Sequence, residues 1–413
     1  MRATSSLWHR LTQFLALSRN IALLLFALVL GGTGEKLWLG FAPKYLQFLG
    51  AGVLVIGLFD ALQTLLGAVY AYPGGWLTDY LGQRRALMLF SALSLAGYVL
   101  VLVWHHWLAL VLGAFLFLAW SALSLPTTFT IVATSLEARQ HTMGVGIQSM
   151  VRRIPMMLGP LIGGWTITRF GWTTGIQYAL LACIFLSLLT MALQWLIFEK
   201  ESVMPTNTAI ADTQNFFGIV KSFSPNLREL LVSDILIRFC ERIPYAFVIL
   251  WAMNHARMSA RQFGILVSCE MITAMICYIP VAHLADKYGR RVFVLVTFVF
   301  FTLFPVSLIW ANSFGSLAVA FIIRGLKEFG EPARKALIIA QAPAELRSRT
   351  YGAYYMIRDC IVTTGSFLGA WLWSVEPYIN FIAAAGCGFV GTIWFWSSVY
   401  LKSEKAGDHA LLK

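Results

Sequence analysis

The stretch GGWLTDYLGQRR, Gly74 to Arg85, sets one acid, two arginines and three glycines between two strongly apolar runs. About 207 residues later a turn of the same kind returns as VAHLADKYGRR, Val281 to Arg291. The surroundings of both copies are apolar throughout: 59% of the 413 residues are hydrophobic, 12% are charged, and the mean hydropathy is +0.73. Apolar runs of about twenty residues recur along the chain, the signature of membrane-spanning helices. Ten-residue alternating strands are absent from the sequence, which argues against an outer-membrane barrel. The first run starts near Asn20 without a small-residue cleavage site, so it reads as the first span rather than a removed signal peptide.

Twelve spans are predicted, at about 20–42, 50–73, 86–104, 107–133, 144–168, 173–197, 227–254, 261–282, 291–311, 314–340, 350–373 and 378–400. They divide into a six-helix half (1–197), a linker (198–226) containing the polar run EKESVMPTNTAIADTQ, a second six-helix half (227–400) and a short tail (401–413). With both ends inside, inner segments hold about 19 of the 31 Lys and Arg residues, and outer loops hold about four: Lys44, Arg169, Arg257 and Arg261. The positive-inside rule then predicts cytoplasmic termini, a cytoplasmic linker and both quoted turns on that side, for a chain in the bacterial inner membrane. The net charge of +12 lies in short gaps rather than in a basic tail, so nucleic acid is not the expected partner. The six cysteines fall inside apolar runs without metal-type spacing and read as buried thiols. No metal, cofactor or catalytic constellation is expected, and the chain does not read as an enzyme.

The repeat is wider than the turn. At an offset of about 206 residues, Glu35 falls on Glu241, Lys36 on Arg242 and Pro126 on Pro332. GIQSMVRRIPMMLGPLIGGW falls on GAYYMIRDCIVTTGSFLGAW, so that Gly159, Gly163 and Arg152 meet Gly365, Gly369 and Arg358. The chain is a parallel duplication of a six-helix unit, an architecture of secondary transporters. The predicted fold is all-α and integral to the membrane: twelve transmembrane helices in two pseudo-symmetric bundles.

In the first turn Gly75 would let a neighbouring helix approach, Asp79 can face a helix N-terminus or an arginine, Gly82 permits the tight turn, and Arg84 and Arg85 anchor it. Asp286, Lys287, Gly289, Arg290 and Arg291 repeat the arrangement. One copy reads equally well as a loop carrying topological charge; two copies at equivalent places favour a conformational clasp. These residues resemble the loop signature of the major facilitator superfamily, with Tyr80 where a basic residue is usual and Ala282 in place of the second glycine. The resemblance covers essentially the whole chain and implies an alternating-access carrier with a cavity between its two bundles. Gly146, Gly159, Pro160, Gly163 and Gly164 are similar to the family's antiporter signature, with Pro155 replacing its middle glycine; they also read as helix-packing positions. The arginine that drug antiporters carry in span 4 is missing from LVLGAFLFLAWSALSLP and occurs instead in span 10, as Arg324 of FIIRGLKEFGEPARK.

Charges inside the predicted spans must face a cavity or one another. At about 1.5 Å per residue many of them fall in a broad middle layer. Asp60, Glu35, Glu241 and Glu270 are the candidates for proton coupling; Arg152, Arg358, Arg238, Arg324 and Lys36 are those for substrate binding. Asp234–Arg238, Arg238–Glu241, Arg324–Glu328 and Lys327–Glu331 have the spacing of local helical pairs. Asp60 has no basic partner within a turn of its own helix; it reads as a proton carrier or as the partner of Lys36 or Arg152. The expected function is secondary active transport of a small organic solute, charged or zwitterionic and proton-coupled, by a monomer in the lipid bilayer. The alternative is a multidrug/proton antiporter.

Overall fold

Glycine and proline interrupt the long apolar runs, and they do so at repeat-related places. The computed structural model describes residues 19–121, 150–197, 216–342 and 347–400, with residues 75, 79, 282 and 286 among those described by their backbone alone. Every regular element among the described residues is helical: α1 Arg19–Leu39, α2 Ala42–Phe48, α3 Val53–Leu81, α4 Gln83–Val103, α5 Trp107–Phe117, α6 Arg153–Phe170, α7 Trp172–Ile197, α8 Phe216–Lys221 and α9 Pro225–Tyr245. There follow α10 Val248–Leu250, continued by a π-helical turn Trp251–His255, then α11 Ala260–Tyr288, α12 Arg290–Ile309, α13 Phe314–Leu326, α14 Glu331–Ala340, α15 Arg347–Val375 and α16 Pro377–Trp394.

Among the described residues, seven stretches are long and apolar enough to cross a membrane: Leu25–Phe48, Val53–Tyr70, Arg84–Val103, Trp172–Trp195, Ala260–Cys277, Arg290–Ile309 and Pro377–Tyr400. Trp165, Phe185, Ile276, Trp310 and Trp371 stand exposed, as suits side chains solvated by hydrocarbon. The protein is all-α and integral to the membrane. The predicted spans 7 and 11 are absent from the seven because α9 carries Arg228, Glu229, Asp234, Arg238, Glu241 and Arg242, and α15 carries Arg347, Arg349, Arg358 and Asp359. Predicted spans 4 and 5 run into residues 122–149, outside the described residues, and Gly146 lies there too. The linker lies outside them as far as residue 215 and includes α8 beyond it; the tail 401–413 is also outside. Cys183 and Cys240 are buried, whereas Cys360 is exposed, against the expectation for a thiol in an apolar run.

Among the described residues, the predicted fourth, seventh and tenth spans are interrupted, the fourth at Leu118, and the first, predicted to end at 42, breaks close to that end. The first breaks at Gly40–Phe41, between α1 and α2, and the seventh at Ala246–Phe247, between α9 and α10. Each break closes with the same bond: Phe41 N–H donates to Trp38 O at 2.9 Å, and Phe247 N–H to Pro244 O at 2.8 Å. These positions are related by the offset of about 206 residues, so the duplication is visible in the backbone as well as in the residues. The tenth span ends at Leu326 and resumes at Glu331. Gly330 packs so closely on Phe293 O that a side chain would collide with it, and Pro332 suits the first turn of α14, where no N–H is needed.

The helix crossings repeat as well. A Cβ on Gly163 of α6 would run into Leu37 O of α1, and a Cβ on Gly369 of α15 into Ile243 O of α9. One turn earlier, a Cβ on Gly159 would meet Lys36 Cβ at 2.5 Å, and one on Gly365 would meet Phe239 at 3.0 Å. Small residues let each helix pair approach to backbone contact.

The chain divides into two compact units. One contains Met1–Ala42 and Val69–Thr208, the other Pro43–Ala68 and Ala209–Lys413, so α3 begins in the second unit and ends in the first. In the first, α1 packs on α6 and α7, and α4 on α5 and α7; Trp38 meets Phe117 edge-on at 5.0 Å. In the second, α9 packs on α15 and α16, α11 on α13, and α12 on α13, α14 and α16. Leu227, Leu230, Val294, Phe298, Ile338, Tyr354 and Phe395 form its core.

Candidate functional site

Helical spacing in α3 places Asp60, Gln63, Thr64 and Gly67 on one face, at i, i+3, i+4 and i+7. The same spacing in α9 aligns Arg238, Glu241, Arg242 and Tyr245. Gln63, Thr64 and Gly67 of the first face and Arg238, Glu241 and Arg242 of the second, with Arg358, Asp359 and Val362 of α15, line a cavity of about 260 Å³ inside the second unit. Gly57, one turn before Asp60, allows the approach: a Cβ there would lie 3.0 Å from Ser366 O and collide with Ala370.

Asp60 is 2% exposed. Its Oδ1 accepts from Arg242 Nη1 at 3.0 Å and its Oδ2 from Ser366 Oγ at 2.6 Å. The partner is therefore neither Lys36 nor Arg152, the two expected, but a residue 182 positions away. Lys36 instead bonds Glu35 at 2.8 Å, and Glu35 is also the acid whose field reaches Arg152. So Glu35, Lys36 and Arg152 come together in the first unit, while Asp60, Arg238, Glu241, Glu270, Arg324 and Arg358 come together in the second.

The second group belongs to a continuous charge network. Glu241 accepts from Arg238 at 2.7 Å and Lys327 at 2.6 Å. Glu270 faces Arg324 at 3.3 Å and Lys327 at 3.8 Å. Glu331 pairs with Arg334 at 2.6 Å and Arg238 at 3.3 Å. Asp234 accepts from Arg334, from Tyr354 Oη at 3.1 Å and from Arg358 at 3.4 Å, and Asp359 pairs with Arg358 at 2.7 Å. With Asp60 and Arg242 this makes six acids and six bases that balance among the buried groups, and the exposed Lys335 adds a seventh base at the edge, 4.0 Å from Glu331. Removing ions from water costs several kcal/mol each, so such pairs fix geometry more than they stabilise; stripping one partner from a buried pair costs about 3–5 kcal/mol.

Two of the expected local pairs are present: Arg238–Asp234 at 3.9 Å and Arg238–Glu241 at 2.7 Å. Arg324 and Lys327, by contrast, reach Glu270 and Glu241 rather than Glu328 and Glu331 as expected. The reason is the break between α13 and α14, which removes the continuous helix that i,i+4 pairing needs.

At the two quoted turns, Gly82 takes φ 80° and Gly289 φ 95°, the left-handed region glycine occupies without strain. Arg84 lies over the Trp195 ring at 5.3 Å, and Arg85, Lys287 and Arg290 are exposed. Arg84, Arg85, Arg290 and Arg291 sit at helix N-termini, where the macrodipole disfavours cations; capping does not explain them. Pro160 and Gly164 are buried in α6.

Sequence reasoning did not select Arg242, Ser366, Gln63, Thr64 or Arg334 as site residues. Arg242 was within reach, because the repeat sets it on Lys36, itself a candidate. Arg334 lies three residues after Glu331, a spacing that pairs on a helix. Ser366 carried no signal.

The model of the Major Facilitator Superfamily matches the chain twice, over residues 24–249 and 230–411. An uncharacterized MFS-type transporter of Methanocaldococcus jannaschii is 22% identical over 375 residues, covering 89% of this chain and 91% of its own. The multidrug resistance protein MdtG of Proteus mirabilis is 24% identical over 395 residues, covering 92% of this chain and 93% of its own. Among solved structures, a point mutant of the nucleoside transporter NupG is similar with a TM-score of 0.78 at 13% identity, over 92% of this chain and 99% of that one. A POT family transporter with a bound thioalcohol-conjugated peptide gives a TM-score of 0.76 at 13% identity, over 94% and 96%. Duplicated halves, paired breaks, repeated glycine crossings and both turns agree with these matches: the chain belongs to the Major Facilitator Superfamily and is a transporter.

Proposed function

We propose that this transporter moves a small organic solute, charged or zwitterionic, by alternating access, and couples the movement to protons through Asp60. One observation carries the reading: a buried carboxylate, held by Arg242 and Ser366, lies one helical turn from the residues of a cavity lined by both signs of charge. A proton arriving at Asp60 loosens the Arg242 pair, so protonation and the state of the cavity are linked. Asp79 and Asp286 act as clasps at the repeated turns. The protein works as a monomer in a bacterial inner membrane with cytoplasmic termini, supported by the distribution of its basic residues and by relatives in Proteus and Salmonella.

Multidrug export is the second reading. It is favoured by the similarity to the multidrug resistance proteins MdtG and by the Gly159–Pro160–Gly163–Gly164 pattern. Proteoliposomes under an imposed pH gradient, screened with charged metabolites and cationic dyes, separate the two. Asp60→Asn should abolish gradient-driven accumulation and spare exchange without a gradient. Accumulation that survives Asp60→Asn sinks the role given to Asp60.

A further inference from the structure

We infer that the transporter is a symporter, in which a proton on Asp60 and an anionic group of the solute enter together, with Arg242 passing from one to the other. This rests on the proton-coupled carrier reading above and adds the sign of the solute and the direction of coupling. The starting point is charge balance. Every carboxylate that lines the cavity already has a basic partner within hydrogen-bond reach: Glu241 has Arg238 and Lys327, and Asp359 has Arg358. A cationic solute entering this cluster finds no carboxylate in excess, and must strip one from a cation that would then be buried and unpaired.

The cavity's three arginines are not equivalent. Arg238 faces Asp234, Glu241 and Glu331. Arg358 faces Asp234 and Asp359 and lies over the Tyr355 ring at 4.2 Å. Arg242 pairs with one carboxylate, Asp60, and lies over the Tyr245 ring at 4.6 Å. The charged groups that act on Asp60 are Arg242 and the neighbouring Glu241, both on α9, while α15 presents the Ser366 hydroxyl. One proton on Asp60 therefore removes the one ion-pair partner of one guanidinium, and that guanidinium lines the cavity. The cluster gains a single positive charge, which a carboxylate or phosphate group of the solute neutralises by accepting the Arg242 N–H donors. When the anion leaves, the proton leaves Asp60 and the Arg242–Asp60 pair closes again, so protons and charge balance over the cycle.

The test uses the purified full-length chain with benzoate as anionic probe and tetraphenylphosphonium as cationic probe, measured by calorimetry from about pH 5 to about pH 8. Benzoate should bind with proton uptake, and its affinity should rise as pH falls, by at most about tenfold per pH unit for one linked proton. Asp60→Asn should bind benzoate without proton uptake and without pH dependence. Arg242→Gln should bind it at least about tenfold more weakly. The charge-neutral double variant Asp60→Asn, Arg242→Gln guards against misfolding from a lone buried charge, and should lose both affinity and pH dependence. Benzoate binding that is pH-independent in the native chain, or unchanged by Arg242→Gln in a folded protein, overturns the proposal, as does no binding at millimolar concentration. Movement of tetraphenylphosphonium in exchange for protons in proteoliposomes, with benzoate unbound, keeps proton coupling but in the multidrug reading, and overturns symport. Linked benzoate and proton binding without any flux of benzoate overturns the carrier reading instead.

Discussion

The two halves of this transporter share a scaffold and differ in charge. Both break their first helix at equivalent places and cross their first and fifth helices at equivalent glycines. Yet where the second half has Asp234, Arg238, Glu270, Arg324, Lys327 and Glu331, the offset of about 206 residues finds Leu28, Gly32, Thr64, Leu118, Ser121 and Leu125 in the first. Glu35, Lys36 and Arg152 are kept opposite Glu241, Arg242 and Arg358. Asp60 is the converse case: its counterpart is Leu266, and the counterpart of Ser366 is Pro160. The Asp60–Ser366 bond therefore has no equivalent in the duplicate, since leucine offers no acceptor and proline no donor. Duplication preserved what helix packing needs, and the ionisable chemistry diverged onto one unit.

The comparison breaks most readily at Arg334, which is 1% exposed and holds both Asp234 and Glu331. Arg334→Ala should destabilise the protein by about 3–5 kcal/mol, read as a large drop in melting temperature in detergent. A melt like that of the native chain would remove the network's structural role. Ser366→Ala comes next, at about 1.5–3 kcal/mol for a hydrogen bond to a charged group. In that variant the pH at which driven transport is half-maximal should also shift; no shift in either quantity would separate Ser366 from Asp60.

The shared scaffold is tested by Gly163→Ala and Gly369→Ala, each expected to cost about 1–3 kcal/mol through overpacking. Similar losses in both halves sharpen the comparison, whereas one silent variant would confine the close crossing to a single half. The smallest effect is expected from Arg84→Ala, about 0.5–1 kcal/mol from its contact with Trp195, without change in transport if that arginine only anchors the turn.

Much of the fold was legible because its signals are local or repeated. Apolar runs set the spans, and constant-offset matches such as Glu35 with Glu241 exposed the duplication. The Asp234–Arg238 and Arg238–Glu241 pairs were readable because a helix brings such residues together by itself. Lys327 was misread because its helix ends at Leu326 and the next begins only at Glu331, so Lys327 and Glu331 no longer lie one turn apart on a single helix.

By itself, then, the amino-acid sequence determined the class of protein, the internal repeat, the turns and the fact that each intramembrane charge must find an opposite one, because desolvation imposes that on any buried ion. Which charge meets which was decided only in the tertiary structure. Asp60 and Arg242 are 182 residues apart, and neither carries a local mark of the other. They meet because Gly57 lets α3 close on α15, a contact that exists once the helices have packed.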